Sequence, residues 1–326
     1  MDREGYRELL RSRKVSEDKI EAAIALAERY EAYLGSLDGK PDTASTWNFC
    51  EVLIQEKQNT YDNLLALARY GRFIRDNNIY VAILEVLDGA EVQPNLYQKV
   101  GAVFGEGTRE EVFAGIGISP LGLPSPEKPY DLFPVLDRLV GKVGYEQVER
   151  LLSVCLRDLP DEYFLEDREK YIQSASIDAF LESQHQALVE ELKKCQHEGQ
   201  LFFSQEITDD VVRYVQEHPE TEWGVRDGNI LYVTKIPYNA KEYLAETDPT
   251  MKRFYMCHCP WVRHAIKNGN LKLNSVFCYC SGGFTKKPWE IFFGQTLQVE
   301  VLESAIRGDF RCRFAVHLPE NLVGSE

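Results

Sequence analysis

The reading of residues 254–319 decides the fold. The stretch opens with FYMCHCPWVRHAI (254–266), passes through SVFCYCSGGF (275–284) and closes with QVEVLESAIRGDFRCRFAVHLP (298–319). Its β-rich tracts are short and bounded by turn chemistry. Residues 276–280 read as a strand, 283–293 as a helix, and 297–304 and 311–318 as two strands joined by the hairpin turn Arg307-Gly308-Asp309. Just upstream, Thr208 starts a capped helix with Asp209 and Asp210 in its first turn, and Asp227-Gly228 marks a turn before the β-rich run 229–236. Strands joined by hairpins and interrupted by helices predict an α+β domain with an antiparallel sheet over 199–326.

Working outward, residues 1–198 read as an all-helical region. Ser16 precedes an acidic turn and then the amphipathic set Ile20, Ala23, Ile24, Leu26 and Ala27, closed by Gly35. Helices are expected over 43–54, 61–76, 79–87, 94–104, 109–115, 135–143, 145–156 and 174–195. The segment GISPLGLPSPEKPYDLFP (117–134) holds five prolines and breaks this text, as a boundary or as a long ordered loop. His185, on the last of these helices, reads as a packing histidine.

Five of the eight cysteines fall in the deciding stretch: Cys257, Cys259, Cys278, Cys280 and Cys312. On a strand, Cys278 and Cys280 would share one face, because side chains alternate with period two. Pro260 at a first helical position makes Cys259 the expected N-cap of a helix over 260–267. A helix N-terminus lowers a thiol's pKa, so Cys259 is the candidate thiolate and, in an enzyme, the candidate nucleophile. Convergence of these segments with Cys312 on the final strand would suit a tetrahedral zinc site, with all five cysteines as candidate ligands. Buried packing thiols and a redox pair are the competing readings. Cys50, Cys155 and Cys195 read as packing. Trp261, Arg263, Tyr279, Ser281, Phe284 and Trp289 surround the thiols in the sequence and are the candidate ligand-binding set, an apolar wall with a few polar groups. Ser281-Gly282-Gly283 ahead of a helix can also offer backbone N–H groups to an anion.

The net charge of −15 argues against nucleic acid as a partner, since phosphate binding needs clustered Lys and Arg, and against docking on an anionic membrane. No apolar run approaches the roughly 20 residues of a membrane helix. The start, MDREGYRELLRSRK, has no apolar signal core, so a cytoplasmic location is expected, where cysteines are thiols or metal ligands. The hydrophobic strands leave a homodimer open.

The order glycine, helix, glycine, Val-x-Val strand, Arg-Gly-Asp turn and Cys-x-Phe in 282–319 resembles the C-terminal half of the four-vinyl-reductase type of small-molecule-binding domain. The Cys-Pro-Trp and Cys-Tyr-Cys-Ser-Gly-Gly-Phe elements are similar to a bacterial group that includes 2-amino-thiazoline-4-carboxylate hydrolase-like proteins, and the whole chain resembles a bacterial family of unknown function from that neighbourhood. The resemblance covers roughly residues 200–319. It implies a cytoplasmic small-molecule-binding protein with cysteine-bound zinc. The alternative it implies is a hydrolase of a small cyclic amide-like or thiazoline substrate, with a metal-bound water or Cys259 as nucleophile. By position Cys312 matches the family's late zinc cysteine, Cys278 or Cys280 a middle one, and Cys259 or Cys257 an early one. Ser304 stands where a further cysteine is common, so either the second member of a Cys-x-Cys pair substitutes or the metal is absent.

Overall fold

The computed structural model describes residues 1–37, 42–269, 272 and 274–320. The chain divides into two compact units, one of residues 1–90 with 117–128 and the other of 91–116 with 129–326. The division does not fall at 198, because the helices from residue 91 onward supply core to the C-terminal sheet.

The first unit is all helical, as expected, with α1 (Arg3–Ser12), α2 (Glu17–Gly35), α3 (Thr43–Gln55), α4 (Tyr61–Phe73) and α5 (Asn77–Leu87). Half of the residues of α1 are charged, and it buries only Tyr6 and Leu10, one turn apart. Its starts are chemically marked: Asp42 and Ser45 form a reciprocal capping pair on α3, and the Thr60 hydroxyl accepts from Asn63 N on α4. The core joins Ile20, Ile24, Tyr30, Phe49, Leu53, Leu64, Leu67 and Ile83. Polar groups inside it are matched, Tyr6 donating to the Ala66 carbonyl at 2.7 Å and Tyr30 pairing with Thr46 at 2.7 Å. The proline-rich segment is an ordered return to this unit. Its buried Lys128 ammonium donates to the carbonyls of Glu85 (3.1 Å), Val86 (3.3 Å) and Asp88 (3.3 Å), which closes the C-terminus of α5.

The second unit carries α6 (Val92–Phe104), α7 (Glu106–Val112), α8 (Lys128–Val143), α9 (Tyr145–Leu152), α10 (Leu165–Gln173) and α11 (Ile177–Glu198). A two-residue hairpin of β1 (Leu201–Phe202) and β2 (Gln205–Glu206) then leads to α12 (Asp209–Glu217). After β3 (Val225–Asp227) and β4 (Ile230–Thr234) come α13 (Ala240–Ala245), α14 (Pro249–Met256), α15 (Arg263–Asn268), α16 (Cys278–Phe293), β5 (Gln298–Glu303) and β6 (Arg313–His317). The α+β expectation holds: the four-stranded sheet is antiparallel throughout, in the order β3-β4-β6-β5.

The register puts Leu231 opposite Val316 and Val233 opposite Phe314, with Val299 and Val301 paired to the same two residues from the other side. These six side chains share one face and are buried against α16, whose Gly282 lies over Val299 and Phe314. Burial of such a face stabilises by about 1.5–3 kcal/mol per side chain. Further along α16, Trp289 and Phe292 meet Phe180 of α11 with ring centroids 6.0 and 5.8 Å away.

Two local expectations are overturned. Residues 276–280 are not a strand: Asn274 accepts from Val276 N and starts a 3-10 turn, Ser275–Phe277, that runs straight into α16. The β-branched and aromatic residues there are buried as one side of a helix with no partner strand, so packing overrides propensity. Pro260 does not open an α-helix either. Residues 260–262 form turns, and α15 begins at Arg263, ending at Gly269 in the left-handed conformation.

Candidate thiol site

All eight cysteines are unpaired thiols. The five of the deciding stretch arrive on three separate segments. Cys257 caps the C-terminus of α14, its N–H bonded to the Arg253 carbonyl at 3.1 Å. Cys259 follows in the turn, where its carbonyl accepts from Val262 N and Arg263 N, both at 3.0 Å. Cys278 and Cys280 are the first and third residues of α16, and Cys312 lies just before β6, its carbonyl accepting from Lys235 N at 2.9 Å.

Because Cys278 and Cys280 are on a helix, about 200° of rotation separates their directions, so they face opposite ways rather than together. The interactions of the thiols follow that split only in part, because Cys280 still acts on Cys278 and Cys259 interacts with both. Cys278 faces Cys257 and Cys312, with the Ser304 hydroxyl and the Arg307 guanidinium at the same group. Cys280 faces Cys155, Cys259 and Arg157. Ser304 is fully buried against Cys278, and its hydroxyl meets no partner in good hydrogen-bond geometry.

Burial dominates the electrostatics. Desolvation pushes Cys278 up to about 11 and Cys280 and Cys312 to about 12, while Arg307, Arg157 and Lys235 respectively pull the other way. Cys257 and Cys259 are raised well above the ordinary thiol range, again chiefly by desolvation. The expected low-pKa thiolate at Cys259 is therefore reversed: α15 starts only at Arg263, and burial disfavours the charge more than the Trp261 N–H and Arg157 favour it.

Two glycines build this environment. A Cβ on Gly282 would lie 3.2 Å from Val299 Cγ1, and one on Gly283 only 2.6 Å from the Ser153 carbonyl oxygen and 3.2 Å from Cys155 N. Gly282 thus admits the sheet on one side, and Gly283 admits the 153–157 loop on the other, bringing Cys155 and Arg157 to the thiols. Both sit inside α16, so they form no anion-binding turn ahead of a helix.

The candidate ligand-binding residues are dispersed. Trp289 and Trp261 are each 1% exposed and belong to the core. Tyr279 is buried at Glu149. Arg263 stacks over Tyr238 and Phe254 at 4.1 and 4.7 Å and reaches Asn239 at 3.3 Å. The Ser281 carbonyl accepts from Thr285. Phe284 is half-buried beneath the Lys235 ammonium at 4.5 Å, with the Arg157 guanidinium 5.9 Å away. An open groove of about 500 Å³ is lined by Leu165, Arg168, Lys287, Glu290, Ile291 and their neighbours, and by none of the thiols.

No family profile, curated protein or solved structure matches the chain. Among the described residues, no three His, Cys, Asp or Glu side chains meet closely enough to hold a metal ion, and no helix is long and apolar enough to cross a membrane. The thiols surround a common interior without forming a ligand shell.

Sequence reading missed Cys155, Arg157 and Lys235. For Lys235 a signal was present: Leu231, Val233 and Lys235 alternate on the buried side of one β-rich run.

Proposed function

We propose that the second unit is a small-molecule-binding domain of a reducing compartment, held together by a thiophilic ion, zinc by its donor set, on Cys257, Cys278 and Cys312. One observation supports this reading: Cys257, Cys278 and Cys312, from segments far apart in the chain, lie near enough to act on one another's charge, although as placed they would have to draw together to form a ligand shell. Soft thiol donors fit zinc in kind, and bound metal would keep them as thiolates against the burial that otherwise favours the neutral form. The opposed direction of Cys280 argues for leaving it outside the ligand set, whereas Cys259 acts on Cys257 and is a candidate further ligand. The small-molecule part rests on the family resemblance and on the half-buried Phe284 with its cations. A Cys259 nucleophile finds less support, since its thiol is raised rather than poised.

Metal content of the purified protein tests the reading. About one zinc per chain is expected, lost in Cys257→Ser, Cys278→Ser and Cys312→Ser and kept in Cys280→Ser. Absence of metal, or loss confined to the Cys280 variant, would overturn the assignment.

A further inference from the structure

α10 is nine residues long and buries none of them. A helix shorter than roughly 12 residues is held by packing rather than by its own propensity. Here the packing is on one side. Tyr171 stacks on Phe292 and meets Phe180 edge-on, with both centroids at 5.6 Å, and Asp167 accepts from Gln184 at 3.3 Å. Leu165, Arg168 and Ile172 share the adjoining stripe, within about 60° of one another around the helix. Its two aliphatic residues are 44 and 60% exposed, so an apolar stripe of this helix has no cover within the chain.

Leu165 and Arg168 of that stripe form one wall of the groove of about 500 Å³, and Lys287, Glu290 and Ile291 of α16 form the other. The charges of the second wall are already matched. Lys287 pairs with Asp161 at 2.5 Å, and Glu290 accepts from Lys286 at 2.6 Å and from Leu297 N at 3.0 Å. Half-buried Arg168 makes no hydrogen bond or ion pair with any described residue, which leaves one positive charge over in the groove beside Leu165 and Ile291. Glu166 and Glu169 point about 100–160° away from it around the helix.

A guanidinium presents two parallel donors to a carboxylate, and the aliphatic walls take apolar side chains. A groove open along a helix, with one charge among apolar groups, suits a length of polypeptide rather than an enclosed metabolite. The net charge of −15 repels an acidic run and a second copy of the chain alike, so the charge complement is a single carboxylate. We infer that the groove between α10 and α16 docks a segment of a partner protein in which one Asp or Glu stands among aliphatic residues. The carboxylate pairs with Arg168, and the aliphatic groups lie on Leu165, Ile172 and Ile291. This goes beyond the small-molecule reading and involves none of the thiols.

Selection from a displayed library of random short peptides on the full chain tests it, followed by titration of the preferred peptide by fluorescence anisotropy. The selected sequences are expected to share one Asp or Glu flanked by Leu, Ile, Val or Met. Arg168→Met is expected to weaken binding by roughly tenfold or more, the scale of one hydrogen bond to a charged group, and Leu165→Asp to weaken it as well. Replacing the peptide's acid by its amide should cost the same tenfold in the parent and nothing further in Arg168→Met, as two halves of one contact require. Neither side chain is buried, so both variants should keep the parent's unfolding temperature. No enriched peptide, a shared motif without an acid, or unchanged binding by either variant would overturn the inference. Self-association of the chain that Arg168→Met abolishes would give the groove to a second copy and overturn it too.

Discussion

Gly283→Ala is the sharpest test of how the thiol site is assembled. The added methyl would stand 2.6 Å from the Ser153 carbonyl oxygen and 3.0 Å from its carbon, against ordinary contact at about 3.5 Å. Relief requires the 153–157 backbone and α16 to part by roughly 0.8 Å, since no flexible side-chain end can turn aside. Overpacking of this kind costs about 1–3 kcal/mol, and a backbone obstacle belongs at the upper end. Alanine returns about 1 kcal/mol through its better helix propensity. The net loss is therefore about 1–2 kcal/mol, or a fall of about 2–8 °C in unfolding temperature for a unit of this size. Gly282→Ala is the internal control. Its methyl would meet only the Val299 side chain, at 3.2 and 3.3 Å, which can give way, so propensity and crowding nearly cancel. Tryptophan fluorescence reads the right unit, because Trp223, Trp261 and Trp289 all lie in it. A Gly283→Ala protein as stable as the parent, or less affected than Gly282→Ala, would refute the account of the loop approach.

Glu220 accepts two hydrogen bonds from the Arg313 guanidinium, both at 2.7 Å, and that pairing holds its carboxyl below the ordinary range. A lowered folded-state pKa means the contribution is complete above the unfolded carboxyl's pKa and disappears as pH falls through the folded one. Glu220→Gln should therefore cost about 1 kcal/mol at pH 7 and nothing at low pH, and equal losses at both would contradict the pairing. Tyr6→Phe removes the donor to the Ala66 carbonyl in the first unit and should cost about 1 kcal/mol in urea unfolding at unchanged slope; no change would mean the carbonyl finds another partner. With a chromogenic thiol reagent at neutral pH, the buried Cys50, Cys257 and Cys280 should react only on unfolding, while half-buried Cys155 and Cys195 lead; rapid labelling of Cys257 or Cys280 would contradict their burial.

Much of the fold was legible because it rested on local periodicity. The amphipathic repeat of 20–27, the capped start at Thr208 and the Val-x-Val alternation of β5 are each settled by residues within a turn or two. The site was less legible because its geometry depends on what packs against what. Val276-Phe277-Cys278-Tyr279-Cys280 has β composition, and only the absence of a partner strand makes it helical. Once it is a helix, its two cysteines point opposite ways, Cys278 towards Ser304 and Arg307 and Cys280 towards Cys155 and Arg157. Gly282-Gly283 had the same fate: two residues read as offering backbone N–H groups ahead of a helix prove to be thin spots inside one. Lys235 was hidden by its type, since a lysine reads as solvent-facing until the period of its strand is taken more seriously than its charge.

The Lys128 ammonium that closes α5 reaches that helix only after residues 91–116 have been made. On a ribosome the first unit therefore cannot finish in order. Its five helices emerge with the final carbonyls of α5 still hydrated, and the closing segment arrives behind a stretch that belongs to the other core. Early synthesis yields a loosely tethered helical intermediate, and the last step of its consolidation is timed by translation rather than by the helices themselves.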